Sequence, residues 1–109
     1  MTSNEQLFQQ LCDKHNLKIH KTISASYAQF KFPDNMIKET WGSLLKLRQN
    51  FIMIAGELHY NKSILHYSQW QKFSNKHLSK LLSKRENLIK QFKQKQLQKK
   101  LKDIENDFQ

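Results

Sequence analysis

Five histidines, one cysteine and a few carboxylates are the side chains of this 109-residue chain that could carry out chemistry at neutral pH. His15, His20, His59, His66 and His77 lack the close spacing by which two imidazoles grip one metal ion. His59 and His66 stand seven apart, but a junction near Asn61 to Ser63 falls between them. Solvent-facing or capping roles are the default for such histidines. The tightest carboxylate group is Asp103, Glu105 and Asp107 near the C-terminus, where water would solvate all three alike and make no acid–base pair. Cys12 has no second cysteine to pair with, which fits a reducing compartment, and beside Leu7, Phe8 and Leu11 it reads as a small core residue. No nucleophile elbow, Gly-rich phosphate loop or dinucleotide fingerprint is present. The chain reads as a non-enzyme, with no metal and no cofactor.

What remains is recognition. Tyr60, Tyr67, Trp70 and Phe73 are interleaved with His66, Lys72 and Lys76. Rings beside lysines suit single-stranded nucleic acid, where each stacked base is worth about 1–3 kcal/mol. The same mixture suits an acidic peptide with an apolar end. The competing reading makes these rings a packed seam between two helices, Trp70 foremost. Charge sharpens the choice. The chain carries 19 Lys and Arg against 9 Asp and Glu, a net charge of +10, and 12 of the basic residues fall between Lys62 and Lys102 with Glu86 alone against them. A block this one-sided attracts polyanions. Lys72, Lys76, Lys80 and Lys84 step by four and trace one helical stripe, while Leu78, Leu81 and Leu82 face a core. The candidate contacts are therefore Lys72, Phe73, Lys76, His77, Lys80, Lys84, Arg85, Lys93, Lys95, Lys99 and Lys100, with Tyr67 and Trp70 as aromatic members.

The elements that must position them read as helices. Two Gly and one Pro argue against a hairpin-rich β fold. Ser3 with Gln6 is a capping-box pattern for a helix near 4–15. Residues 17–32 fit either helical spacing (Ile23, Tyr27, Phe30) or strand alternation (Ile23, Ala25, Tyr27), and the lack of a Gly or Asn-Gly turn favours a helix near 18–31. Pro33 breaks the chain, and Ile37, Trp41, Leu44, Leu45, Phe51, Ile52, Ala55 and Leu58 recur at three- and four-residue steps for a helix near 35–59. A helix near 63–73 follows, and then a basic helix near 75–107 with Ser74 or Asn75 as its cap. Its apolar positions run from Leu78 to Phe108, with a phase shift between Phe92 and Leu97. The expectation is an all-α protein: a small helical bundle with a long basic C-terminal helix, divided into an N-terminal part, 1–61, and a basic C-terminal part, 62–109.

Several short motifs resemble, in order, those of the primosomal replication protein N'' (PriC) family, of which this chain would be a shortened member. Thr22-Ile23-Ser24-Ala25-Ser26-Tyr27 with Phe32 is similar to an early segment there, and Leu44-Leu45-Lys46-Leu47-Arg48 with Phe51 to the helix that follows. Leu78, Leu81, Leu82, Arg85, Glu86 and Ile89, then Gln94, Leu97, Lys99, Leu101, Ile104 and Glu105, fall at that family's C-terminal spacing. His77 and Asp107 stand where the family carries basic residues. The resemblance implies a replication-restart role: binding single-stranded or forked DNA, holding the acidic C-terminal tail of single-stranded DNA-binding protein, and helping load the replicative helicase. The alternative, from the residues alone, is a small basic interaction protein, inhibitor- or antitoxin-like, that dimerises or docks on an acidic partner through its C-terminal amphipathic helix. The longest apolar run, Phe51 to Ala55, is too short for a bilayer, and no export signal is legible, so a cytoplasmic protein without a membrane is expected.

Overall fold

A computed structural model describes residues 3–107. Its elements, in chain order, are α1 (Ser3–Lys14), β1 (Lys18–Lys21), β2 (Ser26–Gln29), β3 (Glu39–Trp41), β4 (Leu45–Arg48), β5 (Phe51–Asn61), β6 (Ile64–Lys72) and α2 (Asn75–Asp107). The strands make one sheet in the order β1-β2-β4-β5-β6-β3, antiparallel except where β3 runs parallel to β6. The all-α expectation is thus corrected to a mixed α/β fold. The helices expected near 4–15 and 75–107 are α1 and α2, whereas those expected near 18–31, 35–59 and 63–73 are strands. The division at residue 61 falls inside the β5–β6 hairpin, so both parts share one sheet. Phe108, expected as the last apolar position of α2, lies outside the described residues.

The physical reason lies in β5. Ile52, Ile54 and Leu58 are buried and alternate with exposed Phe51, Glu57, His59 and Asn61, the period of two of a half-buried strand. Helical steps through Leu44, Phe51, Ala55 and Leu58 are a coincidence of the same apolar residues. Nor did the shortage of glycine prevent hairpins. Gln49 and Asn50 turn β4 into β5, Lys62 and Ser63 turn β5 into β6, and all four have φ between 50° and 67°. That is the paired left-handed geometry of a type I′ turn, which usually recruits Gly or Asn. A non-Gly residue there costs about 1 kcal/mol; the long β5–β6 ladder offsets it.

Both helices pack on one face of the sheet and feed one core. Phe8, Leu11 and Cys12 of α1 and Leu78, Leu81 and Leu88 of α2 join Ala28, Leu45, Ile52, Ile54, Leu58, Leu65 and Tyr67 from the strands. α1 ends where Asn16 takes φ 51° and the Leu17 N–H reaches back to the Cys12 carbonyl at 2.9 Å. α2 starts at the cap anticipated from sequence: the His77 N–H donates to Ser74 Oγ at 3.2 Å. Its last residue packed against the core is Phe92, and the helix then continues away from the body, giving the molecule extents of 64 × 27 × 23 Å.

Candidate nucleic-acid interface

Strand register decides which side chains share the face opposite the helices, because cross-strand partners project to the same side. Ala28, Leu45 and Ile54 form a buried row, so the neighbouring row points the other way. That outer row crosses five strands as His20, Tyr27, Lys46, Met53 and Lys72. Arg48 pairs with Phe51, Trp70 with Ala55, and His66 lies between His59 and Trp41. Three large rings stay open to water: Trp41 is 54% exposed, Phe51 69% and Trp70 39%. Lys46 Nζ sits 5.7 Å from the centroid of the Trp70 ring. Trp41 Nε1 donates to Glu39 Oε1 at 2.6 Å, which sets the indole, and its ring lies 6.1 Å from His66. The surface is a sheet paved with rings and interleaved with Lys46, Arg48 and Lys72, with Glu39 and Glu57 the carboxylates on these rows.

One arrangement on this face has the ingredients of a catalytic relay. His59 Nε2 lies 3.3 Å from Ser68 Oγ and 2.9 Å from Glu57 Oε2. A relay needs hydroxyl and carboxylate on opposite ring nitrogens. Here both meet Nε2, so they compete for one atom and no proton can pass between them through the ring. Among the described residues no group of three or more His, Cys, Asp or Glu could hold a metal ion. Nor, among them, is any helix long and apolar enough to cross a membrane.

The residues singled out from sequence fall into three groups. Lys72 lies at the end of β6, and Lys76, Lys80 and Lys84 form an exposed stripe along α2. Lys80 and Lys84 line an open cavity of about 280 Å³ with Gly56, Glu57 and His59, which brings the stripe beside residues of the sheet's outer rows. Lys93, Lys95, Lys99 and Lys100 are exposed on the later turns of α2, with Lys95 and Lys99 beside the β5–β6 turn. Tyr67, Phe73, His77 and Arg85 are engaged inside the fold. Tyr67 is a core residue whose Oη accepts the Phe30 N–H at 2.9 Å. Burial pushes its phenol well above the usual range, partly opposed by the Phe30 hydrogen bond and by Arg85. Arg85 donates from Nε and Nη2 to the Lys31 carbonyl at 3.0 and 2.7 Å and lies over Phe30 and Phe32. His77 Nε2 donates to the Ala55 carbonyl at 2.9 Å, and Phe73 is half-buried against the core. Trp70, the ring most suspected of a core role, is on the open face.

Sequence reading missed Trp41, Lys46, Arg48, Phe51 and Tyr27. The signal was present as period-two alternation, Phe51-Met53 against Ile52-Ile54, and was masked by reading the segment at helical steps. No family model, curated protein or solved structure matches the chain.

Proposed function

We propose that the protein is a binding module for single-stranded DNA, held on the open face of its sheet. The observation that carries this reading is that both tryptophans stand exposed on that face, Trp70 beside Lys46 near the rows of Arg48 and Lys72, and Trp41 farther along beside His66. Every base has a π-face, so exposed rings accept bases of any identity, while cations between the rings track the phosphates. A duplex hides its bases and cannot use the rings.

The test is anisotropy of a labelled oligothymidylate and a labelled duplex across a salt series. Each phosphate neutralised contributes about −0.7 to the slope of log affinity against log salt for a single strand. Lys46, Arg48 and Lys72, with Lys18 two residues along β1 from His20 and so on the same face, would give about −3, and adding Lys76, Lys80 and Lys84 about −5. Preference for the single strand with a slope in that range supports the proposal. Equal binding of duplex and single strand refutes a role for the rings.

A second reading has its own observation. Between the β5–β6 turn and α2, Tyr60, Leu88 and Phe92 floor an open cavity of about 400 Å³ rimmed by Lys62, Lys95 and Lys99. An apolar floor with a cationic rim is the chemistry an acidic peptide with an aromatic end requires. The acidic tail of single-stranded DNA-binding protein is such a peptide, and its capture, with a cytoplasmic role in helicase loading at restarted forks, belongs to this second reading. The fold that the resemblance implied does not support it, since Ser26-Tyr27 and Leu45–Arg48 are in strands here. A tail peptide that binds equally with and without its terminal ring would refute it.

A further inference from the structure

The extended part of α2 presents an apolar stripe with none of the described residues packed over it. Leu97, Leu101 and Ile104 are 59, 52 and 51% exposed, and they recur at steps of four and three, the spacing of a coiled-coil seam. Up to Phe92 the helix packs its apolar side on the sheet, and the five-residue step from Phe92 to Leu97 rotates the seam off that core. Fifteen residues, 93–107, therefore extend about 22 Å at 1.5 Å per residue. A helix of that length is marginal alone in water, and Lys95 and Lys99 repel at i, i+4. Something that covers the stripe would stabilise it.

We infer that a second copy of this chain covers the stripe, with the two α2 helices antiparallel. The charge order along the helix selects both partner and direction. The segment is basic through Lys93, Lys95, Lys99, Lys100 and Lys102 and turns acidic at Asp103, Glu105 and Asp107. Such a sequence is complementary to itself only when reversed. Antiparallel pairing sets the basic stretch of each helix at the level of the acidic stretch of the other. Parallel pairing would set lysines beside lysines. An isologous two-fold contact of this kind is closed, so it gives a dimer and not a filament. With Leu101 facing the partner's Ile104, the sheets lie at opposite ends of the dimer and their outer faces stay free.

Sedimentation equilibrium of the full chain tests this between about 5 and 200 µM. The expected result is passage from 13.1 kDa to twice that mass, a gain in helicity over the same range, and weaker association in high salt. Leu101→Glu and Leu97→Glu should stay monomeric at every concentration. Both positions are outside the core, so near-ultraviolet circular dichroism should be unchanged. A spin label on Lys93→Cys, in a Cys12→Ala background, separates the orientations. Antiparallel pairing about the Leu101–Ile104 layer places the labelled positions about 28 Å apart along the axis, and parallel pairing places them about 10 Å apart. A native chain still monomeric at 200 µM overturns the inference. So does a dimer that survives Leu101→Glu, or a label distance near 10 Å.

Discussion

Replacing Trp70 by Ala removes one stacking platform from a known place. The ring is 39% exposed, with Ala55 as its cross-strand partner and Lys46 Nζ 5.7 Å from its centroid. A cross-strand pair of this kind contributes about 0.2–1 kcal/mol and a surface cation–π contact about 0.5–1. Trp70→Ala should therefore lower stability by about 1–2 kcal/mol, which for a domain of this size moves Tm by about 4–8 °C per kcal/mol. Trp70 itself lies outside the buried cluster and only its partner Ala55 belongs to it, so the protein stays folded at 25 °C. Losing one stacked base costs about 1–3 kcal/mol of binding, or roughly 5- to 150-fold in Kd at 1.4 kcal/mol per decade. The assay is titration of labelled oligothymidylate at 25 °C and fixed salt, with Trp41 fluorescence as a second signal from the same face. Trp70→Phe should recover most of the affinity, because a phenyl ring still stacks. Lys46→Ala should weaken binding differently, reducing the salt slope by about 0.7. A folded Trp70→Ala protein that binds within twofold of the native chain would refute base stacking at this position.

Three further outcomes follow from the fold. Lys62→Asn with Ser63→Gly should stabilise the protein by about 1 kcal/mol, since both positions are left-handed and the new residues adopt that conformation cheaply; thermal unfolding reads it, and no gain would mean the turn carries no strain. Arg85→Ala should destabilise by about 1–3 kcal/mol by leaving the Lys31 carbonyl unpaired and uncovering Phe30 and Phe32, and Arg85→Lys should not recover it, since an ammonium cannot donate twice in a plane while stacking; full rescue by Lys in denaturant melts would show that charge alone matters. Burial, aided by Asp13, raises the Cys12 thiol from 9.0 to about 11. Between those values the unfolded chain loses a proton that the native chain keeps, so stability should fall as pH rises from 9 to 11, and Cys12→Ala should flatten that slope. Native Cys12 should also resist thiol reagents at pH 8 until denaturant is added, and rapid native labelling would contradict its burial.

The two helices were legible in the chain because a helix closes its hydrogen bonds within four residues. The cap at Ser74, the leucines at 78, 81 and 88 and the exposed lysine stripe all follow from local spacing, as does the concentration of positive charge after residue 61. The junction near Asn61 to Ser63 was also legible, although it proved to be a hairpin turn and not a boundary. The strands were legible only as short stretches of alternation, around Phe51 to Ile54 and within 17–32, because a strand's partners are set by the rest of the molecule. β3 is three exposed residues and exists only because Glu39, Thr40 and Trp41 meet Ile64, Leu65 and His66 in register. β2 pairs with β4 across the excursion through Pro33 and β3. The hairpins turn at Gln49-Asn50 and Lys62-Ser63, of which only Asn50 favours a left-handed backbone, and the ladders on either side hold the others in it. Register then decided the candidate interface. The sequence alone specified that rings and cations were present and that the positive charge was concentrated in one stretch. Only pairing across the sheet could put Trp70 outside beside Lys46, put Trp41 outside beside His66 and fold Tyr67 inside, because which face a strand residue occupies depends on neighbours tens of residues away.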